Sequence, residues 1–208
     1  MAIKDDGTDG EAYLLERELT VVGRTSGHLV FEDDTFLADR HAELIYQADK
    51  LSIRPLESTN GVFVRITEDE EIQSGDYLRV GQELLRFDLL DELVREPSTT
   101  GGLALLSSRA APEAWARLVQ VVQEGTFADS YILDMDDVYL GRDRGHIKFP
   151  EDGFVSGSHA VIARRRGRVF LRDLNSSNGT YLRLRSSRSL VEGDVVLVGQ
   201  QLFRIEPT

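Results

Sequence analysis

Four polar side chains in the second half of the sequence could together bind a phosphate group: Arg142, Ser156, Ser177 and Asn178. A phosphomonoester carries about −1.5 to −2 charges at neutral pH and has three acceptor oxygens. Arg142 offers a planar fork of N–H donors, and each serine hydroxyl adds a neutral donor. Asn178 can donate and accept at once, which suits the backbone of an extended peptide. These residue types predict a site for phosphate on a peptide.

Catalysis and metal binding are less consistent with the sequence. Ser156 and His159 could form a nucleophile and base, but neither an acidic group to orient the histidine nor an oxyanion-hole signature accompanies them. The sequence has four histidines, in two equivalent pairs without ligand spacing, and no cysteine. We therefore predict a protein that is not an enzyme, with no catalytic residues, no metal and no cofactor.

The same residue pattern occurs twice, because residues 3–87 align with residues 121–205 at a constant offset of 118 without insertion or deletion. The matched pairs include Gly23-Arg24 with Gly141-Arg142, His41-Ala42 with His159-Ala160, Asn60-Gly61 with Asn178-Gly179, and Gly75-Asp76 with Gly193-Asp194. The chain therefore contains two copies of one domain. We predict domains at 1–90 and 113–208, joined by a flexible linker at 91–112.

The elements that carry these residues are short runs of alternating apolar residues separated by turns, which is typical of an all-β sandwich. In the run Arg168–Arg172, period-two alternation places Val169 and Leu171 in the core and Phe170 on the outer face. The segment 115–122 could form a helix, but its match to the start of the first copy favours a strand. We predict two tandem antiparallel β-sandwiches.

The predicted linker has a composition that resists regular structure, with Pro, Ser, Thr and Gly at 97–102. Its short apolar run Leu103–Leu106 is a candidate to complete the sheet edge of the first domain, whose first strand comprises only residues 1–4. Thr99 and Thr100 are candidate kinase targets. If either were phosphorylated, the second domain could bind it within the same chain at millimolar effective concentration.

The order and spacing of five motifs in the second copy resemble those of the forkhead-associated (FHA) domain, a β-sandwich that binds phosphothreonine. The motifs are Gly141-Arg142, Ser156-Gly157-Ser158-His159, Asp173 through Thr180, Glu192-Gly193-Asp194 and Val198-Gly199. The resemblance implies that Arg142, Ser156 and Ser177 hold phosphate, with Gly157 beside them, and that Asn178 holds the peptide backbone. It implies architectural roles for Gly141, His159 and Gly179.

The first copy departs from this pattern at the phosphate site. It keeps Arg24, Thr59 and Asn60, but Ala38 replaces the Ser156 hydroxyl and Asp39 replaces Gly157. Losing a hydroxyl and adding a like charge both weaken phosphate binding, and Arg24 could pair with Asp39 instead. In addition, the first copy has Pro55 in place of Asp173 and Val62 in place of Thr180, which could change the loop that carries Asn60. We predict weak or no phosphopeptide binding by this degenerate site.

The charge distribution bears on possible partners. The net charge is −12, and residues 1–95 contain 10 basic and 22 acidic residues, which disfavours binding to nucleic acid or anionic lipid. The cluster Arg164–Arg168 lies about 20 Å along a strand from the proposed phosphate site, so it is a solvated turn or a patch for an acidic protein surface. We predict a cytoplasmic protein without nucleic-acid or membrane partners.

These observations favour a phosphothreonine-dependent signalling adaptor. Its expected partners are a threonine-phosphorylated protein and the Ser/Thr protein kinase that modifies it. The second domain would bind the phosphosite, and the first would be a phosphate-independent docking or packing module. The alternative is a structural scaffold whose two sandwiches bind unphosphorylated partners.

Overall fold

The computed structural model describes residues 1–4, 8–93, 112–122 and 126–207. Within these ranges, alternating and β-branched segments form 19 strands, and one helical turn follows β9. In chain order, the elements are β1 (Ala2–Ile3), β2 (Leu19–Gly23), β3 (Leu29–Val30), β4 (Ala42–Gln47), β5 (Lys50–Pro55), β6 (Val62–Arg65), β7 (Glu70–Ile72), β8 (Tyr77–Val80), β9 (Glu83–Leu89), α1 (Leu90–Leu93), β10 (Ala116–Val121), β11 (Phe127–Leu133), β12 (Asp137–Gly141), β13 (Ile147–Lys148), β14 (Ala160–Arg165), β15 (Arg168–Asp173), β16 (Thr180–Arg183), β17 (Arg188–Leu190), β18 (Val195–Val198) and β19 (Gln201–Arg204).

The chain forms two compact units, each of which combines parts of both repeats. We call residues 1–65 with 182–208 the split unit, and residues 66–181 the continuous unit. The first part of repeat one thus folds with the end of repeat two. In the continuous unit, the end of repeat one folds with the first part of repeat two.

The continuous unit contains two sheets that bury each other's apolar faces. One has the strand order β13-β12-β14-β15-β7, and the other includes β8-β9-β10-β11. Phe87 and Leu118 of the second sheet are fully buried, as are Ile162 and Leu171 of the first. Neighbouring strands are antiparallel except for the short β12–β13 pair, so this unit is the predicted antiparallel sandwich.

The split unit repeats this arrangement with the complementary pieces. Its sheets have the orders β17-β5-β4-β2-β3 and β1-β19-β18-β6. Its core cluster joins Val22 and Ile53 of the first repeat to Leu190 and Val196 of the second. Because one apolar cluster contains side chains from both repeats, neither repeat alone supplies this core.

The compact units differ from the predicted domains 1–90 and 113–208, because the last strands of the repeats are exchanged. β7 of repeat one pairs with β15, and β17 of repeat two pairs with β5. Ile72 and Leu190 occupy equivalent positions in these strands, and both are buried. Alternation determines which face of a strand is buried and in which register it pairs. It does not determine which of two similar copies the strand joins.

Charge complementarity accompanies one of the exchanged pairings. Arg168 of β15 forms a two-point ion pair with Glu71, its Nε lying 2.9 Å from the carboxylate. Arg172 likewise binds Asp69 through Nε at 2.6 Å. The second repeat has serines at the positions equivalent to these two acids. The acidic strand of repeat one therefore gives the arginines of β15 partners that their own repeat lacks.

The strand assignments made from alternation are confirmed. Val169 and Leu171 are 5% and 0% exposed, whereas Phe170 is only partly buried. The ambiguous segment 115–122 contains strand β10, not a helix. In the first repeat, β1 comprises only Ala2–Ile3 and pairs with β19.

Most of the predicted linker 91–112 lies outside the described residues, and so do Thr99, Thr100 and Leu103–Leu106. The short α1 covers its first three positions. In the part of the chain that the structure describes, no helix is long and apolar enough to cross a membrane.

Candidate functional site

The second-repeat residues proposed to bind phosphate come together on three loops of the continuous unit. These loops follow β12, precede β14 and connect β15 to β16. The backbone N–H of Arg142 donates to the Ser156 carbonyl at 2.9 Å, and the Ser177 N–H donates to Ser156 Oγ at 3.0 Å. Ser156 therefore links the other two loops, and its own hydroxyl proton remains available to a further acceptor.

His159 braces these loops from below. It is fully buried, its Nδ1 accepts the Ser156 N–H at 3.0 Å, and its Nε2 lies 3.1 Å from the Gly179 carbonyl. An acceptor Nδ1 leaves the ring proton on Nε2, which donates to that carbonyl. Both nitrogens are therefore engaged with the backbone of the loops that carry Ser156 and Gly179.

The loop carrying Ser177 and Asn178 is shaped by Asp173. Its Oδ1 accepts the hydroxyls of Ser176 and Thr180, both at 2.6 Å, and its Oδ2 accepts the Ser176 N–H at 2.9 Å. Ser176 Oγ in turn accepts the Gly179 N–H at 3.0 Å. The role of Ser176 was missed by the sequence analysis, although its position three residues after an aspartate is a recognisable turn signal.

Asn178 joins its loop to the one that carries Ser156. Its Nδ2 donates to the Phe154 carbonyl at 2.8 Å, and the residue itself is exposed. The side-chain oxygen of this exposed residue could accept a bond from a peptide N–H. The Phe154 ring, which the sequence analysis did not single out, is 44% exposed beside this loop.

Arg142 is exposed and forms no ion pair with any residue that the structure describes. The neighbouring backbone is tightly packed, since a Cβ added to Gly141 would lie 2.3 Å from the carbonyl oxygens of both Arg144 and Gly157. A Cβ on Gly157 would lie 2.8 Å from Asp143 Oδ1. Asp143 is thus an acid at the edge of the site that the sequence analysis missed.

The first repeat builds the same loop frame in the split unit. Ala38 donates its N–H to His41 Nδ1 at 3.0 Å, and His41 Nε2 lies 2.8 Å from the Gly61 carbonyl. Asn60 Nδ2 donates to the Phe36 carbonyl at 2.8 Å, as Asn178 does in the other unit. The predicted change in the Asn60 loop therefore does not alter this contact.

In the first repeat, the Arg24 guanidinium is already paired with an acid of the same repeat. Arg24 Nη2 lies 3.4 Å from Asp39 Oδ1, and the Thr25 hydroxyl donates to the same oxygen at 2.7 Å. The Thr25 hydrogen bond, followed by that of Arg24, holds the pKa of Asp39 below its usual value. The expected internal pairing of Arg24 with Asp39 is thus confirmed. Thr59 is exposed on the adjacent loop.

The loop that carries Asn60 in the first repeat is held by a different contact. Pro55 and Val62 cannot form the side-chain hydrogen bonds that Asp173 and Thr180 form in the second repeat. Arg183 of the exchanged repeat donates to the Ser58 and Thr59 carbonyls at 3.2 and 3.1 Å. Burial lowers the pKa of His41, and the positive charge of Arg183 contributes to this shift. Arg183 gives no local sequence signal of this role, because its partners belong to the other repeat.

The arginine cluster at 164–168 is largely neutralised. Arg164 pairs with Asp136 at 2.9 Å, Arg165 with Asp137 at 2.5 Å, and Arg168 with Glu71. Arg166 occupies the hairpin turn with a positive φ of 50°. The cluster is thus a paired surface, which carries little excess charge for a nucleic acid. Elsewhere in the ranges the structure describes, no group of three or more His, Asp or Glu could hold a metal ion.

Comparison with known proteins identifies two matching segments. The family model of the FHA domain matches residues 20–81 and 138–199. The chain is 32% identical to the oxoglutarate dehydrogenase inhibitor of Corynebacterium diphtheriae, over 59% of this chain and 83% of that protein. It is 25% identical to the glycogen accumulation regulator GarA of Mycobacterium tuberculosis, over 49% of this chain and 64% of GarA. The matched region thus spans less than two thirds of GarA.

Two solved structures also align with part of the chain. One is Mycobacterium tuberculosis EmbR in complex with a low-affinity phosphopeptide, with 28% identity, a TM-score of 0.24, and coverage of 40% of this chain and 22% of that one. The other comes from a structural and functional analysis of phosphothreonine-dependent FHA domain interactions. It has 29% identity and a TM-score of 0.25, and covers 41% of this chain and 90% of that one.

Proposed function

This chain belongs to the FHA domain family, and on that premise we propose that it is a phosphothreonine-dependent adaptor that binds its target through the continuous unit. The single observation that carries the proposal is the junction at Ser156, whose carbonyl and hydroxyl oxygens bond to the backbone of Arg142 and Ser177. In this proposal, the junction holds the loops so that one guanidinium and two hydroxyls can bind the same phosphate.

The chemistry of these donors suits a phosphate dianion. The Arg142 guanidinium can form two parallel bonds to phosphate oxygens. Ser156 and Ser177 add hydroxyl donors, and the Asn178 oxygen and nearby backbone can bind the peptide on either side. Gly157 lies at the edge of this site, where an added Cβ would lie 2.8 Å from Asp143 Oδ1. Gly141, His159 and Gly179 hold the three loops in position.

We assign the split unit a phosphate-independent role. Its frame retains Arg24, Thr59 and Asn60, but Asp39 satisfies the guanidinium and presents a negative charge where phosphate would enter. Ala38 lacks the hydroxyl that links the loops. These two changes favour docking to a protein partner or packing without phosphate.

The proposed partners are a threonine-phosphorylated protein and the Ser/Thr kinase that produces it. Two relatives are named as an inhibitor and a regulator, which agrees with an adaptor that acts by binding. A protein that adds no chemistry of its own needs only a site that distinguishes the phosphorylated from the unphosphorylated partner, and the Arg142 site provides this distinction.

A phosphothreonine peptide library, with phosphoserine and unphosphorylated versions of each peptide, tests this proposal. We expect the wild-type protein and Arg24→Ala to bind selected phosphothreonine peptides equally, and Arg142→Ala to lose binding. Arg24→Ala is the matched control, because it removes the same side chain from the same frame in the other unit. Phosphate-independent binding, or no binding by any folded variant, would instead favour the scaffold function.

A further inference from the structure

The loop that presents Ser156 is shaped by a buried carboxylate, Asp152, which is 6% exposed. Its Oδ1 accepts the Phe154 N–H at 2.8 Å, and its carbonyl accepts the Val155 N–H at 3.1 Å. These two bonds curve the backbone immediately before Ser156. A group that holds Asp152 in place therefore also determines the position and orientation of the Ser156 hydroxyl.

The group that fixes Asp152 comes from the first repeat. The N–H of Gln82 donates to Asp152 Oδ2 at 2.7 Å. Gly81, with a φ of +62°, lies so close that an added Cβ would be 2.6 Å from this oxygen and 2.7 Å from Val155 Cγ2. The turn between β8 and β9 is thus packed directly beneath the Ser156 loop.

The split unit contains the matching contact with the repeats reversed. Gln200 of the second repeat donates its N–H to Asp34 Oδ2 at 2.7 Å, and Asp34 Oδ1 accepts the Phe36 N–H at 3.0 Å. Gly199 has a φ of +63°, and its added Cβ would lie 2.7 Å from Asp34 Oδ2. The Val-Gly-Gln turn that closes each repeat therefore supports the loop of the other repeat.

From this geometry we infer that Gly81 and Gln82 of the first repeat are positioning residues for the phosphopeptide site of the second. They act through Asp152 on the Ser156 loop. The inference rests on the proposed function of the Arg142 site, and it adds that this site is complete only when repeat one contributes its last hairpin. The degenerate first repeat thus has a task even without a ligand of its own.

Paired substitutions in the full chain test the inference. Gly81→Ala places a methyl group against Asp152, and Gly199→Ala places the same group, at the same φ, against Asp34. We expect Gly81→Ala to weaken phosphothreonine-peptide binding about tenfold or more, the loss associated with a hydrogen bond to a charged group. We expect Gly199→Ala to bind within a factor of two of wild type.

The two variants exchange roles if each repeat folds on itself. In that case Gly199→Ala would impair the Arg142 site and Gly81→Ala would leave it intact, which would overturn the inference. Equal losses in both variants, or no loss in Gly81→Ala, would overturn it as well. Asp152→Asn and Asp34→Asn provide a second matched pair: the amide in Asp152→Asn has one acceptor oxygen for the two donors, the Gln82 and Phe154 N–H groups, so we expect this variant to weaken binding and Asp34→Asn to leave it unchanged.

Amide hydrogen exchange without ligand separates this inference from the proposed function. Gly81→Ala should speed exchange of the Phe154 N–H, which Asp152 holds, and leave the Phe36 N–H at its wild-type rate. Gly199→Ala should do the opposite. The reverse pattern would overturn the inference whether or not any phosphopeptide binds. Absence of phosphopeptide binding with the expected exchange pattern would contradict only the proposed function.

Discussion

Replacing Ser156 by alanine should reduce phosphothreonine-peptide affinity without unfolding the protein. The first repeat already carries alanine at this position, and there Ala38 still donates its N–H to His41 at 3.0 Å. The brace beneath the loop therefore does not need the hydroxyl. Ser156→Ala should keep the His159 bond and lose only the bonds of Oγ.

The magnitude follows from those lost bonds. In the proposed complex, Oγ accepts the Ser177 N–H, as it does now at 3.0 Å, and donates to phosphate. A hydrogen bond to a charged group contributes about 1.5–3 kcal/mol, which corresponds to a roughly 10- to 150-fold loss of affinity. The neighbouring Ser158, exposed on the same loop, offers a control because it forms no side-chain bond within the described ranges.

Titration calorimetry with one phosphothreonine peptide and its unphosphorylated form measures the affinity of each variant for both peptides. We expect Ser156→Ala to bind 10- to 150-fold more weakly, Ser158→Ala to match wild type, and Ser156→Thr to recover part of the affinity. If Ser156→Ala bound within a factor of two of wild type while Arg142→Ala did not bind, the hydroxyl would have no direct role, and the reasoning from loop geometry would be refuted.

Three other predictions concern both units. In an Arg142→Ala background, Ala38→Ser with Asp39→Gly should create phosphate-dependent binding that fluorescence anisotropy detects. If no binding appeared, other features would block the first site. Because burial lowers the pKa of His41 in the folded state, the unfolded state binds protons more readily below about pH 6.5. The free energy of unfolding in urea should thus fall from pH 7.5 to 5.5, and a rise would contradict the burial argument. Asp173→Asn should cost about 1–3 kcal/mol of stability by thermal or urea unfolding and weaken phosphopeptide binding. Unchanged values would exclude its loop-shaping role.

Local structure was largely predictable from the sequence, because the signals for it are local. Alternation correctly placed Val169 and Leu171 in the core, and the unfavourable Asp39 substitution led to the correct prediction of its pairing with Arg24. Each of these features depends on residue type and on neighbours within one repeat. The sequence alone was sufficient to predict a feature wherever the contact that determines it lies within one repeat.

The exchange of strands could not be predicted in this way. Ile72 and Leu190 satisfy the same alternation, so both pairings bury an equivalent side chain in the same register. The supporting contacts of Gln82 with Asp152 and of Arg183 with the Ser58 carbonyl follow from the exchange. Such contacts depend on which copy a strand joins, and one sequence with two similar copies leaves that choice open.

The division of the chain into a continuous and a split unit has a consequence for synthesis on the ribosome. The continuous unit is complete once residue 181 has emerged, whereas the split unit needs residues 182–208 to join residues 1–65. Residues Ala2 and Phe203 pair at its edge, so its closure waits until residue 203 has emerged. Because domains fold as their residues emerge, we expect the continuous unit to form first. Until then, residues 1–65 lack β17, β18 and β19, the strands of the second repeat that complete their sheets.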